Sequence, residues 1–363
     1  MKLKFRGKQP KAQVKKSAAR EWADAVMFAV VAASIIRWAT FEAYAIPTPS
    51  MEGSLLTGDY LFVSKLHYGP RTPGTPLQVP LTHQTIWGST IASYSDAIQL
   101  PSFRLPGFSE VKRNDAVVFN YPAEAGHPAD LKTYYIKRCI GLAGDSLAIR
   151  NGQVYINGNP TENPAQKQTA YSVTTDRVLN DNFFLSRDIT DFYRTPVGYE
   201  MHTTPDKAKQ LAALDIIQDV KLLQSGVGEA APGIFPQDPE KYSWNTDNFG
   251  PLYIPKSGAT VAINENTLPL YERVILAYEQ NQNAAVRSGK LYIDGEQVNQ
   301  YTFKQNYYFM MGDNRHNSLD SRYWGFVPEN HVVGKAVFVW MSLDANAGLL
   351  DKVRWSRLFS MVE

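Results

Sequence analysis

Cysteine is nearly absent, with Cys139 alone among 363 residues. That excludes an internal disulfide framework and a Cys-rich metal site. No Gly-x-Ser-x-Gly motif occurs, so the strained nucleophile elbow of an α/β-hydrolase is not expected. Histidine is sparse, and none of His67, His83, His127, His202, His316 and His331 sits in a signature of its own. Acidic residues are missing from positions 1–20, which carry eight Lys or Arg. The overall charge of +2 hides that asymmetry: of 37 basic residues 29 lie beyond the tail, against 35 acidic ones, or −6 for the remainder. A basic tail alone would suit nucleic acid. Ahead of an apolar run it is the pattern that keeps an N-terminus in the cytoplasm, and no nucleic-acid partner is expected.

The apolar run is itself short. Trp22 to Ile36 gives about fifteen mostly apolar residues before Arg37 and Glu42 interrupt, whereas crossing ~30 Å of hydrocarbon takes about twenty. A span therefore has to use Trp38 to Phe41, with Arg37 snorkelling toward the far headgroups. The expectation is one pass over 22–43, behind a basic cytoplasmic tail over 1–21. The competing reading is a cleaved signal peptide, for which Ala43-Tyr44-Ala45 would be the small-x-small site.

What is present beyond the run is mostly β. The segments Tyr60–Leu66, Asp115–Tyr121, Thr133–Ile140, Asn306–Met311 and His331–Leu343 are rich in β-branched and aromatic residues and read as strands. A Pro-, Gly- and Ser-rich loop over 69–107 is unusually apolar, with Ile86, Trp87, Ile98 and Phe103, and Phe108 just beyond it. Residues 149–160 (IRNGQVYINGNP) and 286–297 (VRSGKLYIDGEQ) are near copies with hairpin-turn signals. Between them two helices are expected, one from Thr204-Pro205 to about Gln224, the other carrying Leu270, Tyr271, Val274, Ile275 and Tyr278 at helical spacing. The expected division is a catalytic β domain over 44–158 and 286–363, interrupted by an α/β subdomain over 159–285.

Three stretches could carry chemistry. In AIPTPSMEG, Pro47 and Pro49 fix their own φ and bias Ile46 and Thr48 to extended geometry, so Ser50 is expected on an extended segment. In TYYIKRCIGLAGD, alternation places Lys137 with Tyr135 and Cys139, opposite Ile136 and Ile140; a lysine made neutral by burial can serve as a base. In GDNRHNSLDSRYWGFVP, two Asp, two Arg, two Ser and two Gly crowd one loop between strands, which suggests a hydrogen-bonded scaffold beside a site. A Ser-x-x-Lys match at Ser109–Lys112 lacks the partner motifs of penicillin-binding proteins.

Together, PSMEGSLLTGD, YIKRCIGLAGD and GDNRHNSLDSR resemble, in order, the nucleophile, lysine and Gly-Asp-Asn-Arg boxes of bacterial type I signal peptidases (leader peptidases). The resemblance covers residues 22–66, 111–150 and 305–345 and fails over the insert. It implies a mainly β, signal-peptidase-like catalytic domain with one N-terminal transmembrane helix, and no metal or cofactor. It implies Ser50 as nucleophile, Lys137 as general base, Thr48 with the Ser50 N–H as oxyanion hole, Ser318 as the residue orienting the lysine, and Asp320 and Arg322 as a structural pair. Ile46, Met51, Leu55, Tyr135 and Ile136 would line pockets for small side chains. Gly53-Ser54 and His316 depart from the Pro-Thr and Asp common there. The implied partners are signal peptides of secreted preproteins and the lipid surface, with the catalytic domain outside the cytoplasmic membrane; oligomeric state is not legible. Two rivals stand beside this reading, a Ser-His-Asp hydrolase using His316 or His331, and an anchored, non-enzymatic binding protein.

Overall fold

The computed structural model describes residues 16–344, 347–348 and 352–362; most of the expected cytoplasmic tail, residues 1–15, lies outside them. Helix α1, Ala18–Ala39, is capped by Ser17, whose hydroxyl accepts from the Arg20 N–H. It is long and apolar enough to cross a membrane, with none of its most apolar stretch buried in the protein. The helix does not coincide with the expected span over 22–43. The helix stops at Ala39, and residues from Phe41 onward form a strand, so Phe41 adds nothing to the helical length. Arg37 does not reach outward either, because its guanidinium bonds the Glu42 carboxylate at 2.6 Å. Lys65 holds the other Glu42 oxygen at 2.7 Å. Burial pushes the Glu42 carboxyl up, but these two cations outweigh it and hold the group below its ordinary range.

The five expected strands form, with ends moved by a residue or two, and two further strands outside that expectation join them. In chain order they are β1 (Phe41–Ala45), β2 (Asp59–Ser64), β3 (Ala116–Asn120), β4 (Tyr134–Gly141), β5 (Tyr307–Met311), β6 (Val327–Pro328) and β7 (Val332–Ser342), of which β1 and β6 are the two additional ones. They lie in the order β1-β2-β7-β3-β4-β5-β6, each antiparallel to its neighbour, with Ser360–Met361 pairing onto β7. Period-two alternation sorts side chains to two cores. Val118 joins Ile46, Met51, Leu55 and Leu61 on one side. Val117, Phe119 and Cys139 join Met310 and Trp324 on the other. The protein is thus mainly β with one N-terminal apolar helix.

The two repeated hairpin segments fold alike, as Ser146–Arg150 with Gln153–Ile156 and as Ala285–Arg287 with Lys290–Ile293. Their turns place two consecutive residues at positive φ, Asn151-Gly152 and Ser288-Gly289, the geometry that matches strand twist in a two-residue turn. Between the hairpins, residues 169–222 form a four-stranded antiparallel sheet of their own, over a separate core of Val173, Phe184, Ile189, Tyr199 and Met201. The helix expected from Thr204 to Gln224 runs only from Pro205 to Ala212. Asp219–Leu222 is instead a strand beside Thr169–Thr174; sheet pairing overrides local propensity there. The second helix spans Leu268–Arg273 and continues as a wider turn through Tyr278. It packs with Phe249, Leu252, Phe309 and Phe326, so this half of the expected insert shares a core with the main body.

Phe184 is wholly buried, stacked on Phe192 with ring centroids 4.3 Å apart and 5.0 Å from the Tyr199 ring. Phe184→Ala is expected to cost about 3–5 kcal/mol. Because that core is separate, hydrogen exchange should accelerate across 169–222 while β3 and β4 keep their protection.

Candidate active site

Ser50 departs from its expected backbone. Thr48 is extended, but Pro49–Met51 form one tight helical turn, closed by the Glu52 N–H on the Pro49 carbonyl at 2.9 Å. Proline suits the first position of such a turn, where its missing N–H costs nothing. The turn presents Ser50, 8 % exposed, toward β4. There the Lys137 Nζ lies 2.7 Å from the Ser50 Oγ and 2.9 Å from its neighbour's carbonyl, that of Ile136. The carbonyl occupies one amine N–H. When the amine is neutral, its lone pair can accept the serine proton.

Lys137 is 4 % exposed. Burial lowers its pKa to about 8, against the pull of the Asp320 and Asp313 carboxylates, which raise it. Each carboxylate is held by an arginine. Asp320 accepts from Arg322 at 2.9 and 2.7 Å, and Asp313 from Arg138 at 2.8 and 2.6 Å. Asp320 also accepts the Gly312 N–H, which fixes the start of the 312–326 loop. Gly312 is required by space: a Cβ would lie 2.3 Å from the Ser318 Oγ and 2.4 Å from the Ser50 carbonyl oxygen.

Ser318 is therefore packed near the Ser50 backbone, but the bonds of Lys137 run to Ser50 and Ile136, and the lysine-orienting contact expected of Ser318 is not among them. Asp320 and Arg322 make the expected pair. The cleft beside Ser50, about 480 Å³, is lined by Ile46, Thr48, Met51, Tyr135, Ile136 and Lys137. Leu55 is not on its wall; it is wholly buried in the core behind. Reasoning from the sequence missed Tyr44, Leu61, Val118, Asn317 and Leu319, which also line the cleft. Alternation along β1 and β3 was the signal for Tyr44 and Val118.

Both departures from the resembling boxes have partners here. The Ser54 Oγ donates to Asp313 at 2.7 Å. The His316 Nδ1 accepts the Ala170 N–H at 3.0 Å, which fixes the proton on Nε2, 2.9 Å from Asp247. His331 is buried, its pKa well below the ordinary value through desolvation, and bonds Asn330. The bonds of both histidines run to these groups and not to Ser50. Among the described residues no group of three or more His, Cys, Asp or Glu could hold a metal ion.

A pKa near 8 instead of the ordinary 10.5 corresponds to about 3 kcal/mol of disfavoured charge. Loss of the amine's hydrogen bonds returns about 1–2 of that. Since the folded pKa is depressed, the penalty is complete below pH 8 and fades as pH rises toward 10.5. Lys137→Met is thus expected to melt at or above the wild-type temperature at pH 7, with the advantage shrinking by pH 10. A clear drop at pH 7 would contradict a desolvated amine whose pKa is depressed by burial.

The sequence matches the family described as signal peptidase, peptidase S26, over residues 19–208 and 254–341. It is 27% identical over 323 residues to the signal peptidase I of Buchnera aphidicola subsp. Acyrthosiphon pisum, covering 86% of this chain and 72% of that protein. It is 26% identical over 338 residues to the signal peptidase I of Helicobacter pylori, covering 89% and 86%. With that of Haemophilus influenzae it shares 24% over 355 residues, covering 96% and 77%.

Proposed function

Since the chain belongs to the signal peptidase family, peptidase S26, we propose that it is a membrane-anchored serine endopeptidase that removes N-terminal signal peptides from exported preproteins by a Ser50/Lys137 dyad. The observation that carries this is the 2.7 Å contact between a buried lysine amine and a serine hydroxyl at the wall of an apolar cleft. Neutral Lys137 takes the proton of Ser50 as its Oγ attacks the scissile carbonyl. The oxyanion is met by the Ser50 N–H and the hydroxyl of Thr48, which borders the cleft and makes no capping bond to the turn it precedes. Lys137 then protonates the leaving amine, and water hydrolyses the acyl-enzyme with the same lysine as base. Ile46, Met51, Tyr135 and Ile136 provide the apolar wall for small side chains.

The anchor is α1, with the basic N-terminus in the cytoplasm and the catalytic domain on the far side. Trp87, Phe103 and Phe108 are each more than three-fifths exposed and face the lipid surface in this arrangement. The rival triad is disfavoured because His316 and His331 are bonded elsewhere.

The deciding experiment is cleavage in vitro of a preprotein bearing Ala at −3 and −1. Ser50→Ala should be inactive, and wild-type kcat/KM should rise with pH to a midpoint near 8 as Lys137 deprotonates. Full activity in Ser50→Ala would refute the dyad.

Thr48 is tested by a pair of substitutions. Removing one oxyanion donor costs about 10²–10³ in kcat, with little effect on KM. Thr48→Val should suffer that loss, and Thr48→Ser should keep most activity. The reverse order would mark a residue serving only backbone shape, because valine holds extended geometry better than serine.

A further inference from the structure

The sheet formed by residues 169–222 reaches the nucleophile through side chains that no motif of the chain announces. Cross-strand neighbours Asp191 and His202 project from its edge onto the 312–326 loop. The Asp191 Oδ2 accepts from the Asn314 amide at 2.8 Å and from the Asn317 amide at 2.9 Å. With the Asn314 nitrogen committed as donor, its Oδ1 is an acceptor, and the His202 Nδ1–H donates to it at 3.0 Å. Asn314 is wholly buried. Its backbone N–H holds the Ser50 carbonyl at 3.2 Å, and its amide is 3.4 Å from the Pro49 carbonyl. Asn317 lines the cleft. From the same edge, the Thr190 hydroxyl donates to Glu52, two residues past Ser50, at 2.5 Å.

We infer that Asp191 and His202 are positioning residues, through which the inserted sheet sets the turn that carries Ser50 and one wall of the substrate cleft. This rests on Ser50 being the nucleophile. The logic is that of a clamp. The turn at Pro49–Met51 is three residues long and has little to hold its orientation by itself. Asn314 grips two successive carbonyls of it, and a primary amide is oriented only when its own oxygen and nitrogen are bonded. Asp191 and His202 take one each. A carboxylate oxygen shared by two amides also couples the turn to the cleft wall, so the scissile bond and the attacking oxygen are registered against one group.

The test compares Asp191→Ala, Asp191→Asn and His202→Ala with Ser50→Ala in the full-length enzyme, measuring kcat and KM on the preprotein per folded molecule, with melting temperature and pH profile. Asp191→Ala should lower kcat by about 10- to 100-fold, the scale of a misplacement near 1 Å, with the pH midpoint unmoved because Lys137 keeps its surroundings. Asp191→Asn retains an acceptor oxygen of the same reach and should recover most of the loss. His202→Ala should lower kcat in the same direction. Wild-type kcat in Asp191→Ala, or a loss that tracks only the unfolded fraction, overturns the inference. So does a loss that Asn fails to recover in a folded protein. Activity surviving in Ser50→Ala would instead refute the nucleophile assignment, and it is read independently of the Asp191 variants.

Discussion

A lysine amine loses its proton near physiological pH only if water is kept from it, and the residues packed around Lys137 leave it buried and dry. Desolvation is the largest influence on that amine. Two carboxylates nearby work against it, and both hold the 312–326 loop: Asp320 caps its short helix and bonds Gly312, and Asp313 ties Ser54 to Arg138. The arginines reconcile the two demands. With Arg322 on Asp320 and Arg138 on Asp313, the carboxylates serve as hydrogen-bond acceptors while much of their field is spent on a guanidinium. Pairs buried this deeply gain little net stability. Here they hold a loop in shape while the lysine it passes keeps a pKa near 8.

How much of this was legible depends on the distance along the chain over which each feature is decided. The strands, the hairpin turns at Asn151-Gly152 and Ser288-Gly289, and the Thr204-Pro205 helix start are local, and residues within a few positions declare them. The three boxes placed Ser50, Lys137, Asp320 and Arg322 together because their spacing and order resemble a known set. The resemblance puts Leu55 on the cleft wall, but an apolar residue so close to Ser50 can face the cleft or the core, and only packing decides. Ser318 was carried across by position alone, and the observed bonds of Lys137 do not include it. The strand at Asp219–Leu222 was hidden for a different reason. Its residues take their conformation from Thr169–Thr174, some fifty positions earlier, and no pattern within the segment records that partner.

The contacts of Asp191 are the extreme case. Its partners Asn314 and Asn317 lie 123 and 126 positions away, while Asp191 itself stands in a segment that resembles no motif. The insert looks dispensable when read as sequence, being simply what separates two boxes. In three dimensions Gln168, immediately before its sheet, pairs in parallel with Asn314, so the chain enters the insert directly from the edge of the site.

The short connection from helix to Ser50 carries a constraint of its own. α1 ends at Ala39, and Ser50 follows eleven residues later along β1 and the proline segment. At about 3.3 Å per extended residue, Ser50 cannot lie more than about 36 Å from the helix end. Glu42, bonded to both Arg37 and Lys65, and Trp38, whose indole donates to the Arg71 carbonyl, tie the helix end to the body. Under the proposed anchoring by α1, the enzyme would meet its substrates close to the bilayer surface. The same connection bears on whether the chain would cut itself after Ala45. Ala43 and Ala45 lie opposite Phe62 and Tyr60 in the β1–β2 pair, and the Ile46 N–H is bonded to the Asp59 carbonyl. A peptidase must take its substrate as free, extended chain, so self-cleavage there would first require β1 to leave β2. That departure would also release Ile46 and the turn at Ser50 from their support. The strand that leads to Ser50 is therefore protected by the pairing that positions it.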